Sequence, residues 1–248
     1  MSYNRLAHSY DKLMNHVPFE NWVTFTTSIL HNKNLNIHNI VDLGCGTGEI
    51  TIKLAKQGFA LTGVDISSDM LSIGSKKSIE QQVPITWILQ DIRQLSGFEQ
   101  VDLFISFCDV INYITSKQDI LSVFNSVYTS LKDDGYFIFD VHSIYYVTNQ
   151  LINHTFADVN DDITYIWECV AGENFGEMYH YLTFFSKTNE SLYERFTETH
   201  HQRTWEVEEY EQLLKKIGFS KVEFYGDFSL EKANLKNNYE RIFIVAKK

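Results

Sequence analysis

From Asn39 to about Asp140 the chain alternates short, almost unbroken apolar runs with longer stretches whose apolar positions recur every three to four residues. Strands buried on both faces give the first pattern, and helices lying on a sheet give the second, so the alternation predicts a parallel sheet covered by helices. Strands are expected at 40–43, 60–65, 86–90, 101–107 and 135–141, with helices at 49–57, 68–82 and 117–132 between them. Gly58 is a suitable stop for the first helix, and Ser67 or Ser68 a suitable cap for the second. The stretch "FENWVTFTTSILHN" predicts a further helix ahead of the first strand, with Trp22, Phe25 and Ile29 on one face.

The pattern changes at about Asp161. Through Trp205 the chain is rich in Tyr, Phe, Thr and Ile, with rough two-residue alternation and a turn at 188–191, which predicts antiparallel strands inserted into the α/β frame. The frame then resumes with a helix at 207–217, stopped by Gly218, and two last strands at 221–225 and 241–246. With only two prolines and no Gly/Ser-rich stretch, nothing reads as a tethering linker, so any second lobe is expected to be an insertion.

Charge narrows the functional classes. The chain carries 21 basic and 32 acidic residues, a formal net charge of −11, which opposes broad attachment to nucleic acid or to an anionic membrane. No apolar run approaches the roughly 18 residues of a membrane span, and "MSYNRLAHSYDKLMNH" lacks the apolar centre of a signal peptide, so a cytoplasmic location is expected. Cys45, Cys108 and Cys169 are widely spaced, form no CxxC pair and suit a reducing compartment; no metal site is expected.

The chemistry gathers at "VDLGCGTGE". Strand, glycine turn and helix in succession let backbone amides approach a ligand closely. Gly44, Gly46 and Gly48 are spaced GxGxG, not the GxGxxG of a dinucleotide site, and Asp42 precedes them. A carboxylate there would repel a pyrophosphate and attract an ammonium group, which turns the reading from a nicotinamide dinucleotide to a cationic nucleoside. Asp65 ends the next strand in "GVDIS", where a carboxylate can accept both hydroxyls of a ribose, and Asp91 ends the third in "LQDI", placed to meet an adenine amino group.

In this order and at these distances, "VDLGCGTGE", "GVDIS" followed by "SDML", "LQDI", "VDLFISFCDVINYI" and "LKDDGYFIFDVHS" resemble the successive motifs of the class I S-adenosylmethionine-dependent methyltransferases. The resemblance covers 40–142, with "GF" and a final strand hairpin beyond. It implies a Rossmann-like seven-stranded sheet whose last strand is antiparallel, carrying a small inserted antiparallel β lobe, and S-adenosyl-L-methionine as cofactor. It further implies that the glycines floor the methionine part and ribose, with Asp42 near the amino group and Asp65 on the ribose. Met70 would lie against the nucleoside and Asp91 with Ile92 would frame the adenine. Cys45, Ile66, Phe107 and Asp109 complete the expected donor contacts.

A sulfonium methyl is already activated, so the acceptor side needs an oriented nucleophile, and a base only where that nucleophile keeps its proton. His142, after the fifth strand, has a suitable intrinsic pKa, and Asp140 falls on the same side of an ideal strand. Tyr113, with Asp109 and Asn112, is expected to line the methyl and acceptor side. The stretch "AHSYDKLMNHVPFENW" resembles the N-terminal segment of a bacterial subgroup that includes small-molecule N-methyltransferases, which implies that Tyr10 covers the donor.

The inserted strands resemble that subgroup's extra sheet, a lid or homodimer surface. In "ETHHQRTW" His200 and Gln202 share a strand face that is expected to be solvated, although it could supply a side chain to the cleft. The resulting division is a helical cap at 1–38, a donor-binding core at 39–142 and 206–248, and an inserted lobe at 143–205. The expected activity is methyl transfer to a small-molecule nitrogen or oxygen. There is no NPPY-like tetrapeptide of the kind used on nucleic acid amino groups. A non-catalytic relative that binds the donor, and behind it a nicotinamide oxidoreductase, are the alternatives.

Overall fold

The computed structural model of the chain describes residues 14, 17–160, 162–188 and 192–248. Tyr10, most of the N-terminal segment and the tip of the turn expected at 188–191 lie outside these residues.

Seven strands form the main sheet: β1 (Asn39–Leu43), β2 (Ala60–Asp65), β3 (Ile85–Leu89), β4 (Val101–Ser106), β5 (Leu131–His142), β10 (Lys221–Gly226) and β11 (Arg241–Lys247). Their order across the sheet is β10-β11-β5-β4-β1-β2-β3, and β11 alone runs against its neighbours. The direction reverses between β1's two neighbours, β2 and β4, which opens a crevice at the strand ends there, the usual ligand position in an open α/β sheet.

The helices are α1 (Phe19–Asn32), α2 (Glu49–Lys56), α3 (Ser68–Glu80), α4 (Lys117–Ser130) and α5 (Val207–Ile217). Local chemistry sets their ends. Ser67 Oγ accepts from Met70 N at 3.3 Å and Ser116 Oγ from Asp119 N at 3.1 Å, each satisfying one of the backbone donors that a first helical turn leaves unpaired. Gly218 closes α5 at φ 129°, which a side chain would resist.

Alternate strand residues feed two apolar layers. On one face Trp22, Phe25 and Ile29 of α1 meet Leu103, Ile105, Ile138 and Phe243. On the other, Phe124 and Val127 of α4 and Tyr210 and Leu214 of α5 meet Phe104, Phe137 and Phe139. The described part of the expected N-terminal cap is therefore α1, one of the helices that cover the sheet.

After β5 a short helical stretch, 144–151, buries Val147 and Leu151 against Cys169 and Met178 and leads into the second sheet. This sheet is fully antiparallel: β6 (His154–Val159), β7 (Ile163–Ala171), β8 (Glu177–Lys187) and β9 (Tyr193–Arg203), in that order. It begins one strand earlier than the residue pattern indicates, because "HTFADV" offers only a weak alternation. Thr204 ties the exit of the insertion to its entry and to its interior: its hydroxyl donates to His142 O at 2.6 Å and its amide to Gly176 O, between β7 and β8, at 2.9 Å.

The ring of Phe124 lies 5.8 Å from Phe137 and 5.2 Å from Phe139, centre to centre, at the middle of one layer. Phe124→Ala is expected to lower the unfolding free energy by about 3–5 kcal/mol in urea titration, the range for emptying a fully packed aromatic site.

Candidate functional site

The glycine turn joins β1 to α2. Gly44, Gly46 and Gly48 have φ of 73°, 55° and 79°, the left-handed region in which side chains are strained. A Cβ on Gly44 would also stand 2.5 Å from Val110 Cγ1, whereas one on Gly46 would meet no atom within 4 Å. Gly46 thus faces open space, and a ligand can come down to its backbone. Asp65, at the end of β2, braces this turn. Its Oδ2 accepts from Gly46 N and its Oδ1 from Ser67 N, both at 2.8 Å. Ile66 N is a further backbone donor to this carboxylate, which still has acceptor capacity left for a ligand. Burial raises the Asp65 pKa above the ordinary carboxylate value.

Asp42 is buried at the end of β1 and accepts from Thr51 Oγ1 at 2.6 Å. Burial pushes its pKa up to about 7 in spite of the Thr51 hydrogen bond, and the charge of Asp65 adds to the rise. An ammonium brought near would reverse that rise, so Asp42 is poised to ionise on binding one. Cys45 is half-buried, and burial raises its thiol well out of the reactive range. Met70 and Ile92 are buried and Ile66 is half exposed beside Asp65. Asp91 is already engaged: Arg93 donates from Nε to both carboxylate oxygens and from its backbone amide to Oδ1. That guanidinium holds the Asp91 pKa below the usual range.

Beyond β4 the chain makes a strained passage. Cys108 and Asp109 both take left-handed backbone angles, φ 56° and 54°, a cost of about 1–3 kcal/mol for each such residue. The strain is offset by hydrogen bonds, since Asp109 N donates to Asp140 Oδ1 at 3.2 Å. Arg241, at the start of β11, donates from Nη1 to Asp140 Oδ2 at 2.6 Å and from Nη2 to Asp109 Oδ1 at 3.2 Å. Trp22 Nε1 also donates to Asp140 Oδ2, at 3.0 Å. Burial outweighs Arg241 at Asp140 and raises its pKa. At Asp109 burial is outweighed by His142 and Arg241, and the pKa is lowered.

Several expectations change here. Asp140, read as a catalytic partner of His142, is fully buried with its carboxylate committed to Arg241 and Trp22. It holds the frame together. Phe107 belongs to the apolar layer under α1, its ring 6.1 Å from Phe243. Asn112 is buried too: it accepts from His142 N at 3.0 Å and donates to Arg203 O at 3.0 Å, fixing one loop against two strands.

His142 keeps a place at the site. Its Nε2 lies 3.5 Å from Asp109 Oδ1, and its Nδ1 has no hydrogen-bond partner among the described residues. Burial pushes its pKa down to about 4, so the imidazole is neutral at physiological pH. Tyr113 is partly exposed, and its hydroxyl is 3.2 Å from His200 Nδ1. The His200 pKa is also pushed down to about 4, first by burial and then by neighbouring His180.

The inserted sheet contributes more than the solvated face expected for "ETHHQRTW". β9 crosses the loop after β4, and Gln202 is buried with its Nε2 donating to Asp109 Oδ2 at 2.8 Å. Gln202 Oε1 is 3.1 Å from His180 Nε2, and Trp167 Nε1 donates to His180 Nδ1 at 2.9 Å. An indole N–H can only donate, so His180 carries its proton on Nε2 and passes it to the Gln202 carbonyl oxygen. The chain of bonds Trp167, His180, Gln202, Asp109, Arg241, Asp140, Trp22 then has every orientation fixed. Alternation along β9 was the one sign that His200 and Gln202 share a face; nothing local showed that this face is covered.

A model described as "Methyltransferase domain" matches residues 40–135. A Bacillus subtilis protein named "Putative methyltransferase YqeM" is 41% identical over 249 residues, 100% of this chain and 98% of that protein. The crystal structure of an S-adenosylmethionine-dependent methyltransferase from Clostridium acetobutylicum superposes with a TM-score of 0.88 at 31% identity, over 100% of this chain and 99% of that one. The sugar N-methyltransferase KedS8 from Streptoalloteichus sp. shares the fold, with a TM-score of 0.79 at 15% identity over 97% and 92%.

Removing the cation from the buried cluster leaves two carboxylates unpaired. Arg241→Met is therefore expected to cost about 3–5 kcal/mol in chemical denaturation, and the double change with Asp140→Leu to recover part of it. Acid should also unfold the protein early. His142 and His200 have pKa values lowered from 6.5 to about 4, so the stability they contribute is complete above pH 6.5 and lost as pH falls through 4. Thermal midpoints measured from pH 7 to pH 4.5 should fall, and fall less steeply in His200→Gln.

Proposed function

The chain belongs to the class I S-adenosylmethionine-dependent methyltransferases, and from that membership we propose that it methylates a small molecule at nitrogen or oxygen. Its methyl donor is S-adenosylmethionine.

The residues at the strand ends suit the donor. Gly44, Gly46 and Gly48 form a floor that is open above Gly46, and the Asp65 carboxylate beside it suits the ribose hydroxyls. Asp42 answers the amino group, Met70 and Ile66 flank the nucleoside, and Ile92 with the Asp91–Arg93 pair borders the adenine. When bound, the donor supplies a methyl group on a sulfonium whose thioether leaves without needing a proton. The protein's work is then to place the acceptor in line, exclude water and receive one proton. His142 Nδ1, neutral and without a partner among the described residues, suits that last task. Tyr113, held by His200, suits the placing of the acceptor.

One observation carries the choice of a small acceptor. A cavity of about 380 Å³ opens between α1, the end of β4 and the loop before β11, walled by Trp22, Phe228, Cys108, Asp109, Asp227 and Glu240 among others. Its size is that of a small-ligand site. Its carboxylates favour an amine and disfavour a polyanion, in keeping with the net charge of −11. The neighbour whose title names sugar N-methylation agrees with this reading.

Calorimetry with S-adenosylhomocysteine should show binding, weakened by about 1–3 kcal/mol in Asp65→Ala, the loss of a charged hydrogen-bond partner. With a donor carrying a radiolabelled methyl group, label should pass to amine- or hydroxyl-bearing metabolites in an acceptor panel. Transfer to RNA, DNA or protein instead would overturn the small-acceptor reading.

A further inference from the structure

We infer that Trp87, on the edge strand β3, is a positioning residue for the donor site, acting through the glycine turn it supports. The indole lies in a slot made by three glycines from three different elements. A Cβ on Gly48 would stand 2.3 Å from Trp87 Cη2, one on Gly63 2.8 Å from Cε3 and Cζ3, and one on Gly74 2.9 Å from Cη2. Gly63 is the direct cross-strand partner of Trp87 in the β2–β3 register. Gly48 ends the cofactor turn and precedes α2, while Gly74 lies within α3. The far side of the ring is pinned, since Trp87 Nε1 donates to Ser78 Oγ at 3.3 Å and Ser78 Oγ donates to Ser75 O at 2.8 Å.

Cys45 Sγ of the turn shares the slot at Gly63, 2.9 Å from where a Cβ there would stand, but at Gly48 the nearest atoms all belong to Trp87, so the ring occupies the space under Gly48 and sets the height of the turn above β2. That height decides whether Gly46 N reaches Asp65 Oδ2 at 2.8 Å, and with it the shape of the surface the donor meets. Gly74 bears independent witness. A glycine inside a helix is ordinarily worse than alanine, and here its cost is explained by the ring it admits.

The inference rests on the glycine turn being the donor site, and the test separates the two. S-adenosylhomocysteine is titrated into wild type, Trp87→Ala and Trp87→Phe at a temperature where circular dichroism shows each folded. Trp87→Ala is expected to raise Kd by about 10- to 100-fold, the size of effect that a misplacement of about 1 Å has on a bound reactant. Trp87→Phe should recover most of the affinity. Gly74→Ala should weaken binding in the wild type and have little effect in Trp87→Ala. Donor binding should change the tryptophan emission of wild type, and that change should shrink in Trp87→Phe. A folded Trp87→Ala with wild-type Kd, or an equal effect of Gly74→Ala in both backgrounds, overturns the inference. Should Trp87→Ala not fold, Trp87→Leu takes its place, with the same expected and overturning results. Failure of the wild type itself to bind overturns the donor-site reading beneath it.

Discussion

The buried guanidinium of Arg241 is the interaction on which the site's architecture depends. One cation lies between Asp109 and Asp140, and desolvating three charges is tolerable only because each is hydrogen-bonded on several sides. The satisfied partners come from five places: the ends of β4, β5 and β11, the indole of α1, and, through Gln202 on Asp109, the inserted sheet. The left-handed backbone at Cys108 and Asp109 is a consequence of this arrangement. It turns the Asp109 amide to Asp140 and its carboxylate to Arg241 and Gln202 at once, and the loop that carries Tyr113 starts from there.

This joint gives the chain two separate chemical environments. At the ends of β1 and β2 lie the glycine turn and two acids, where burial raises the Asp42 pKa to about 7. Near the inserted sheet lie imidazoles, a phenol and amides, and burial lowers the pKa of His142, His180 and His200. Burial likewise raises the pKa of each of the three thiols, which places them in packing and outside nucleophilic roles.

The frame was legible in the residue order because parallel strands buried on both faces and helices lying over them leave periodic marks that neighbours in sequence carry. The seven strands, α1 and α5 follow from those marks, and the antiparallel β11 follows from what the family resemblance implies. The glycine turn and its bond to Asp65 were legible because they act through local backbone geometry. The cluster around Arg241 was not. Arg241 meets Asp140 across 101 residues and Gln202 meets Asp109 across 93, so only the folded topology unites them. Asp140 was misread because strand alternation reports which residues share a side, not which of them is sealed beneath a neighbouring strand. The Arg93 that engages Asp91 stood two residues away in the sequence, and the indole under Gly48, Gly63 and Gly74 left its trace only as glycines in otherwise regular elements.

We propose that the donor lies on the glycine turn with its reactive sulfur directed to the space bounded by Asp109 and Tyr113. A crystal structure of the protein with S-adenosylhomocysteine measures this directly. Both ribose hydroxyls are expected on the Asp65 carboxylate, with the Arg241 cluster intact and the sulfur facing that space. A ligand bound away from Asp65, or one whose sulfur faces α3 and β3 instead, would contradict it.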